Sequence, residues 1–159
     1  MKSILFVCTA NICRSPSAEG IFKTLARRAG KENDLFIDSA GISNCREGEL
    51  PYEIMRNCAI ERGYVLNHHA RPLKAEDIKR FDYIIGMDAS HVYILNKWLE
   101  VDSEIENKQI YLMSDFLSKY DYDGIPDPYN KGKADCEQVF DLLEDACSIL
   151  LNEIINNKI

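Results

Sequence analysis

Ile4-Leu5-Phe6-Val7-Cys8-Thr9-Ala10-Asn11-Ile12-Cys13-Arg14-Ser15-Pro16 is the stretch whose reading decides the fold. Ile4–Val7 is an unbroken apolar run of strand length, the pattern of a strand buried on both faces. It delivers Cys8, then Arg14 six positions later. Ser15-Pro16 then opens a helical pattern, proline being favoured in a first helical turn. A strand that turns tightly into a helix N-terminus presents unpaired backbone N–H groups at the positive end of a helix dipole. Such a junction attracts anions. A cysteine at its mouth is placed to act as an anionic nucleophile, and a guanidinium grips a phosphate bidentately.

The rest of the chain alternates between strand and helix patterns. Ala18, Ile21, Phe22, Leu25, Ala26 and Ala29 recur at helical spacing and end at Gly30, a C-terminal cap. Residues 34–38 read as a second strand running into Ser39-Ala40-Gly41. A helix is expected from Pro51 to a stop at Gly63, a brief helical turn over 75–78, and a third strand over 81–87. A helix over 90–99, a fourth strand over 109–113, a Gly/Pro/Tyr-rich loop over 120–132 and a long amphipathic helix over 135–156 complete the pattern. The implied fold is α/β: a single three-layer domain over residues 1–159, with a four-stranded parallel twisted sheet and helices on both faces. Ligands of such sheets bind at the carboxyl ends of the strands, which is where Cys8–Ser15 lies.

Composition narrows the function. A net charge of −7 argues against a general nucleic-acid binder. No apolar run approaches the roughly 18–20 residues that span a membrane. The short N-terminal run is a strand and not a signal peptide, so the chain reads as cytoplasmic. Cysteines at 8, 13, 45, 58, 136 and 147 form no compact disulfide framework and no CxxC, and His68, His69 and His91 form no HxxxH pair. Reduced thiols and no metal site are expected. Trp98, on a helix expected at the surface, reads as a packing residue.

The segment from Val7 to Glu19 resembles the phosphate-binding loop of the low-molecular-weight protein tyrosine phosphatases. Asp38-Ser39-Ala40-Gly41, His68-His69-Ala70-Arg71, residues 81–88 and Ile125-Pro126-Asp127-Pro128-Tyr129 follow in that family's order, so the resemblance spans nearly the whole chain. It implies a phosphotyrosine phosphatase that works through a phosphocysteine, with no cofactor. Cys8 would be the nucleophile, Arg14 the phosphate clamp and Asp127 the general acid, then base. Thr9, Ala10, Asn11, Ile12, Cys13 and Ser15 would form the phosphate cradle, with Ser15 assisting the sulfur. Asn11, Ser39 and His68 would pin the loop from beneath. In the resembling family the second loop cysteine, here Cys13, pairs reversibly with the nucleophile under oxidation. Arg71 and Asp88 are expected in ion pairs near the site, and His69 in no role. The implied partners are phosphotyrosine-containing proteins or peptides, with inorganic phosphate as product.

The departures from the family pattern are informative. Thr9-Ala10 stand where many relatives have Leu-Gly, so Ala10 is expected to take a backbone conformation that glycine eases. Ile12 resembles the tyrosine-specific branch, since arginine-phosphate phosphatases of the superfamily carry threonine there. At the rim, Cys45 replaces a large aromatic residue, which leaves Tyr129 as one stacking wall and predicts altered substrate choice. Asn130 replaces the second tyrosine of the vertebrate-type pair. Two alternatives stay open: an arsenate reductase of the same fold, which needs further redox cysteines near the site, and a catalytically weak phosphotyrosine-binding module.

Overall fold

The computed structural model describes residues 1–101 and 109–159. Four parallel strands, β1 (Lys2–Cys8), β2 (Leu35–Gly41), β3 (Tyr83–Gly86) and β4 (Gln109–Leu112), form one sheet in the order β2-β1-β3-β4. The helices are α1 (Arg14–Arg28), α2 (Glu53–Glu61), α3 (Ala75–Arg80), α4 (Ala89–Val101) and α5 (Lys133–Ile155). The predicted α/β sheet is therefore the observed one, and β1 is flanked on both edges.

The central position of β1 explains its composition. Ile4, Phe6 and Cys8 point to one face, into a core shared with Ile21 and Phe22 of α1 and Phe140 and Leu143 of α5. Leu5 and Val7 point to the other, against Ile78 of α3, Ile84 of β3 and Leu95 of α4. Residues 4–7 are fully buried, so every position in the run needs an apolar side chain. Trp98 packs at the edge of the second core, as a packing residue should.

Several boundaries move, each for a local reason. Helix α1 starts at Arg14, two residues before Pro16, because Ser17 N–H and Oγ–H both donate to the Cys13 carbonyl. Its end matches the expected glycine cap: Gly30 has φ 68°, Gly30 N–H donates to Arg27 O and Lys31 N–H to Ala26 O. Strand β2 continues through Ser39-Ala40-Gly41 because Gly41 pairs with Cys8. Helix α2 begins at Glu53 instead of Pro51, since Tyr52 is extended and its N–H donates to Ile12 O. The turn expected over 75–78 is the longer α3, and a 3-10 turn at Met113–Phe116 had no signal in the sequence.

Gly41 matters most to the loop that follows β1. A Cβ there would lie 2.9 Å from Thr9 O, 3.0 Å from Ala10 C and 3.1 Å from Asn11 Cβ. Two of these three atoms are backbone and cannot swing aside. Gly41→Ala is thus expected to cost about 1–3 kcal/mol of stability, read as a lower urea midpoint at unchanged m-value.

Candidate active site

Cys8 ends β1 and Arg14 begins α1, so residues 8–14 form the loop between the centre of the sheet and a helix N-terminus. Asn11 takes the left-handed conformation, φ 58°, that permits the tight reversal. Ala10 stays outside that region, which corrects the expectation that it carries a glycine-like backbone. The strained position is one residue later, on the residue type that tolerates it.

Asn11 is held from beneath by its own amide. Its Nδ2 donates to Ser15 Oγ at 2.7 Å and to Ser39 Oγ at 3.0 Å. Its Oδ1 accepts from the Arg71 N–H at 3.0 Å and lies 2.8 Å from His68 Nε2. Ser39 Oγ donates onward to Glu19 Oε1 at 2.7 Å, and His68 Nδ1 lies 3.2 Å from the same oxygen. The predicted Asn11–Ser39–His68 support is therefore present. Glu19, buried at its centre, was missed in the sequence. Its position four residues after Ser15 on α1, hence on the same helix face, was the available signal.

Glu19, Asp38 and His68 bring three ligand-type atoms within 4.8 Å of one another. Each is already engaged. Lys23 bonds Glu19 at 2.7 Å, and Arg71 binds Asp38 at 3.0 Å and Asp77 at 3.0 Å. The cluster is an ion-pair network that sets the loop, with Arg71 paired as expected. The His69 ring Nδ1 lies 3.0 Å from the Gly48 carbonyl oxygen.

The upper side of the loop frames a cavity of about 220 Å³ lined by Cys8, Thr9, Ala10, Ile12, Cys13, Arg14, Cys45, Arg46, Asp127 and Tyr129. Cys8 Sγ lies 3.0 Å from Ser15 Oγ. Since Ser15 Oγ accepts from Asn11, its own hydrogen is available to the sulfur. Arg14 is buried, and its Nη1 donates to Asp88 Oδ2 and to the Ile125 carbonyl, each at 2.9 Å. Its Nη2 lies 3.9 Å from Asp127 Oδ2. The arginine thus joins the loop to the segment that carries Asp127, a partnership that only the tertiary fold creates. Asp127 remains more than half exposed and accepts from the Tyr129 N–H at 3.1 Å.

At the rim, Tyr129 and Cys45 are both exposed. The guanidinium of Arg46, a residue the sequence reading passed over, lies 5.1 Å from the Tyr129 ring centroid and hydrogen-bonds its hydroxyl. Arg46 therefore covers the tyrosine at the rim beside Cys45. Cys58, Cys136 and Cys147 are buried in α2 and α5 and outside the cavity lining.

Electrostatics distinguish the groups around the cavity. Burial pushes the Cys13 thiol well up, and the neighbouring Cys8 and Asp127 add to this, so Cys13 stays protonated. Burial opposes ionisation of Asp88, yet hydrogen bonds from Ser90 and Arg14 hold its carboxyl down to about 2. Burial lowers His91, beside Asp88 on α4, to about 4. Its ring explains the neutral form: Nδ1 accepts the Asp88 N–H at 3.1 Å, so Nε2 carries the hydrogen and donates to Thr9 Oγ1 at 2.9 Å.

A sequence model of the family described as low molecular weight phosphotyrosine protein phosphatase matches residues 3–159. The low molecular weight protein-tyrosine-phosphatase YfkJ of Bacillus subtilis is 37% identical over 162 residues, covering 99% of each chain. A crystal structure of a protein tyrosine phosphatase from Entamoeba histolytica superposes with a TM-score of 0.93 at 35% identity, covering 100% of both chains. A crystal structure of a Drosophila arginine phosphatase gives a TM-score of 0.90 at 29% identity, over 97% of this chain and 98% of that one.

His91 makes stability depend on pH. The unfolded imidazole takes up a proton below about pH 6.5, the folded one only near pH 4. Between those values the unfolded state binds more protons, so stability falls as pH falls. The loss should approach about 3 kcal/mol by pH 4. His91→Asn should flatten this slope in urea titrations run from pH 7 to 4.

Proposed function

This chain belongs to the low molecular weight phosphotyrosine protein phosphatase family, cysteine-dependent hydrolases of phosphotyrosine, and we propose that Cys8, Arg14 and Asp127 perform that reaction here. The carrying observation is their convergence on one cavity: the Cys8 sulfur bonded to Ser15, the buried Arg14 guanidinium and the exposed Asp127 carboxyl. We read residues 1–159 as one catalytic domain acting in the cytoplasm. The six free thiols and the lack, among the described residues, of any helix long and apolar enough to cross a membrane support that reading.

The chemistry follows from the geometry. Phosphate seats on the N–H groups of residues 9–14, with Arg14 holding its equatorial oxygens through the Nε and Nη2 side of the fork. The Asp88 and Ile125 contacts occupy Nη1 and stop the guanidinium from rotating away. The Cys8 thiolate attacks phosphorus, the P–S bond forms and the bond to the tyrosyl oxygen breaks. Asp127, protonated, gives its proton to that departing oxygen. In the second step Asp127 takes a proton from water, whose oxygen attacks phosphorus. The P–S bond breaks, Cys8 leaves as the thiolate with the Ser15 hydroxyl donating to it, and inorganic phosphate is released. Charge spreading over the phosphoryl oxygens is met by the fixed donors and Arg14 at both transition states.

Substrate choice is set at the rim. Phosphotyrosine-containing proteins or peptides are the substrates we propose, with Tyr129 and Arg46 meeting the ring in place of two aromatic walls. Ile12 is buried at the cavity wall and presents no hydroxyl to a guanidine leaving group. Cys58, Cys136 and Cys147 are buried and outside the lining of the Cys8 cavity, which gives no support to the arsenate reductase reading.

Hydrolysis of p-nitrophenyl phosphate by the full chain in the presence of a chelator should vanish in Cys8→Ser. Asp127→Ala should lower kcat by roughly 10²- to 10⁴-fold while phosphotyrosine peptide binding persists. Phosphotyrosine binding without phosphate release by the wild type would establish the binding module instead. Faster turnover of phosphoarginine than of phosphotyrosine peptides would move the chain to the arginine-directed branch.

A further inference from the structure

The loop that receives phosphate has two flanks, and only one is explained by the Asn11 network. On that flank Ser15, Ser39, His68 and Arg71 fix Asn11. On the other, Thr9 follows Cys8 directly. It is exposed, and its hydroxyl reaches a histidine 82 positions away. Thr9 is one of the two loop positions that depart from the pattern of the resembling family.

His91 stands in the first turn of α4, where two hydrogen bonds close a reciprocal cap. The His91 N–H donates to Asp88 Oδ1 at 3.3 Å, and the Asp88 N–H donates to His91 Nδ1 at 3.1 Å. This is the capping-box arrangement with imidazole in the place of the usual Glu or Gln. The same Asp88 oxygen accepts from the Ser90 N–H at 2.9 Å, while its other oxygen holds Arg14 at 2.9 Å. Gly86 allows α4 to sit this close: a Cβ there would come within 3.0 Å of Val92 Cγ2 and 3.1 Å of His91 Cβ. The imidazole is buried, rigidly placed, and has its Nε2 hydrogen directed at Thr9.

We propose that His91 is a positioning residue for phosphate capture, tethering Thr9 to the Asp88 turn so that the N–H cradle and the Arg14 guanidinium are held at one mutual geometry. The inference deepens the phosphatase reading and rests on it for the meaning of the site. A flexible loop binds an anion only in the fraction of time it is correctly shaped, so apparent affinity scales with that fraction. The Asn11 network fixes the middle of the loop, and the tether fixes its first residue against the element that holds the arginine. Asp88 is shared between cap and clamp, which makes the three parts one unit. In the sequence, Asp88 and His91 have the spacing of a capping pair.

The test measures binding of inorganic phosphate to the full chain by calorimetry, beside kcat and KM on p-nitrophenyl phosphate. Thr9→Val removes the acceptor at an exposed position and leaves the fold intact. Thr9→Ser restores the hydroxyl. His91→Asn keeps an oxygen to cap the Asp88 N–H but falls short of Thr9. Thr9→Val and His91→Asn should each weaken phosphate binding roughly tenfold, Thr9→Ser should stay within about twofold of wild type, and the double variant should be no weaker than the weaker single one. Phosphate binding by Thr9→Val within about twofold of wild type overturns the proposal, as do single effects that multiply in the double variant. If His91→Asn fails to fold, the two Thr9 variants decide alone. A wild type that binds phosphate but hydrolyses nothing would defeat the phosphatase reading while the binding series still judges the tether. Loss of the series with Cys8-dependent hydrolysis intact would defeat only the tether.

Discussion

The Asn11 side-chain amide, with both hydrogens donated and its oxygen doubly engaged, holds the loop backbone in a conformation it would not keep alone. A left-handed residue other than glycine costs free energy and persists only where its surroundings over-determine it. Here the surroundings come from three separate places: Ser15 on α1, Ser39 on β2, and His68 and Arg71 from the segment before α3. Each of these is fixed in turn, Ser39 by Glu19 and Arg71 by Asp38 and Asp77. Gly41 adds the steric condition, since the loop passes too close for any Cβ. The anion cradle is thus a consequence of how β2 and α1 pack, and the loop sequence by itself would not hold it.

Arg14 plays the matching role above the loop. A guanidinium left free at a cavity mouth would sample many orientations, and ordering it would cost entropy at every binding event. Burial together with the Asp88 and Ile125 contacts removes that freedom beforehand. The carboxylate that does this also caps α4, so helix stability and the orientation of Arg14 draw on the same side chain. Asp127, by contrast, is exposed, accepts one backbone N–H and lies 3.9 Å from Arg14 Nη2, a setting that fits the proton-exchanging role proposed for it.

Much of this was legible in one dimension where a residue's role is local. The apolar run of β1, the glycine that ends α1 and the strand-to-helix switch around Cys8 all follow from periodicity and backbone chemistry. The Asn11–Ser39–His68 support was reached through resemblance, and its geometry is present. What escaped was non-local: Glu19 under the loop, Arg46 over Tyr129, and His91 against Thr9. The start of α2 shifted for the same reason, because Tyr52 is tied to Ile12. The glycine-like position was misplaced by one residue, since a turn signal does not say which member of the turn bears the positive φ.

The sequence by itself determined the parallel α/β sheet and the strand-loop-helix junction, while the family came from the resemblance of its motifs. Hydrophobic periodicity and the geometry of a helix N-terminus act over a few residues and do not depend on what packs around them. Only the tertiary structure decided how the cradle is held, by joining Asn11 to His68 and Arg71, Arg14 to Asp88 and Ile125, and Thr9 to His91. Those contacts link positions 57 to 111 residues apart. A hydrogen bond is formed or lost over fractions of an ångström, so such partnerships exist only once the packed layers have set the distance.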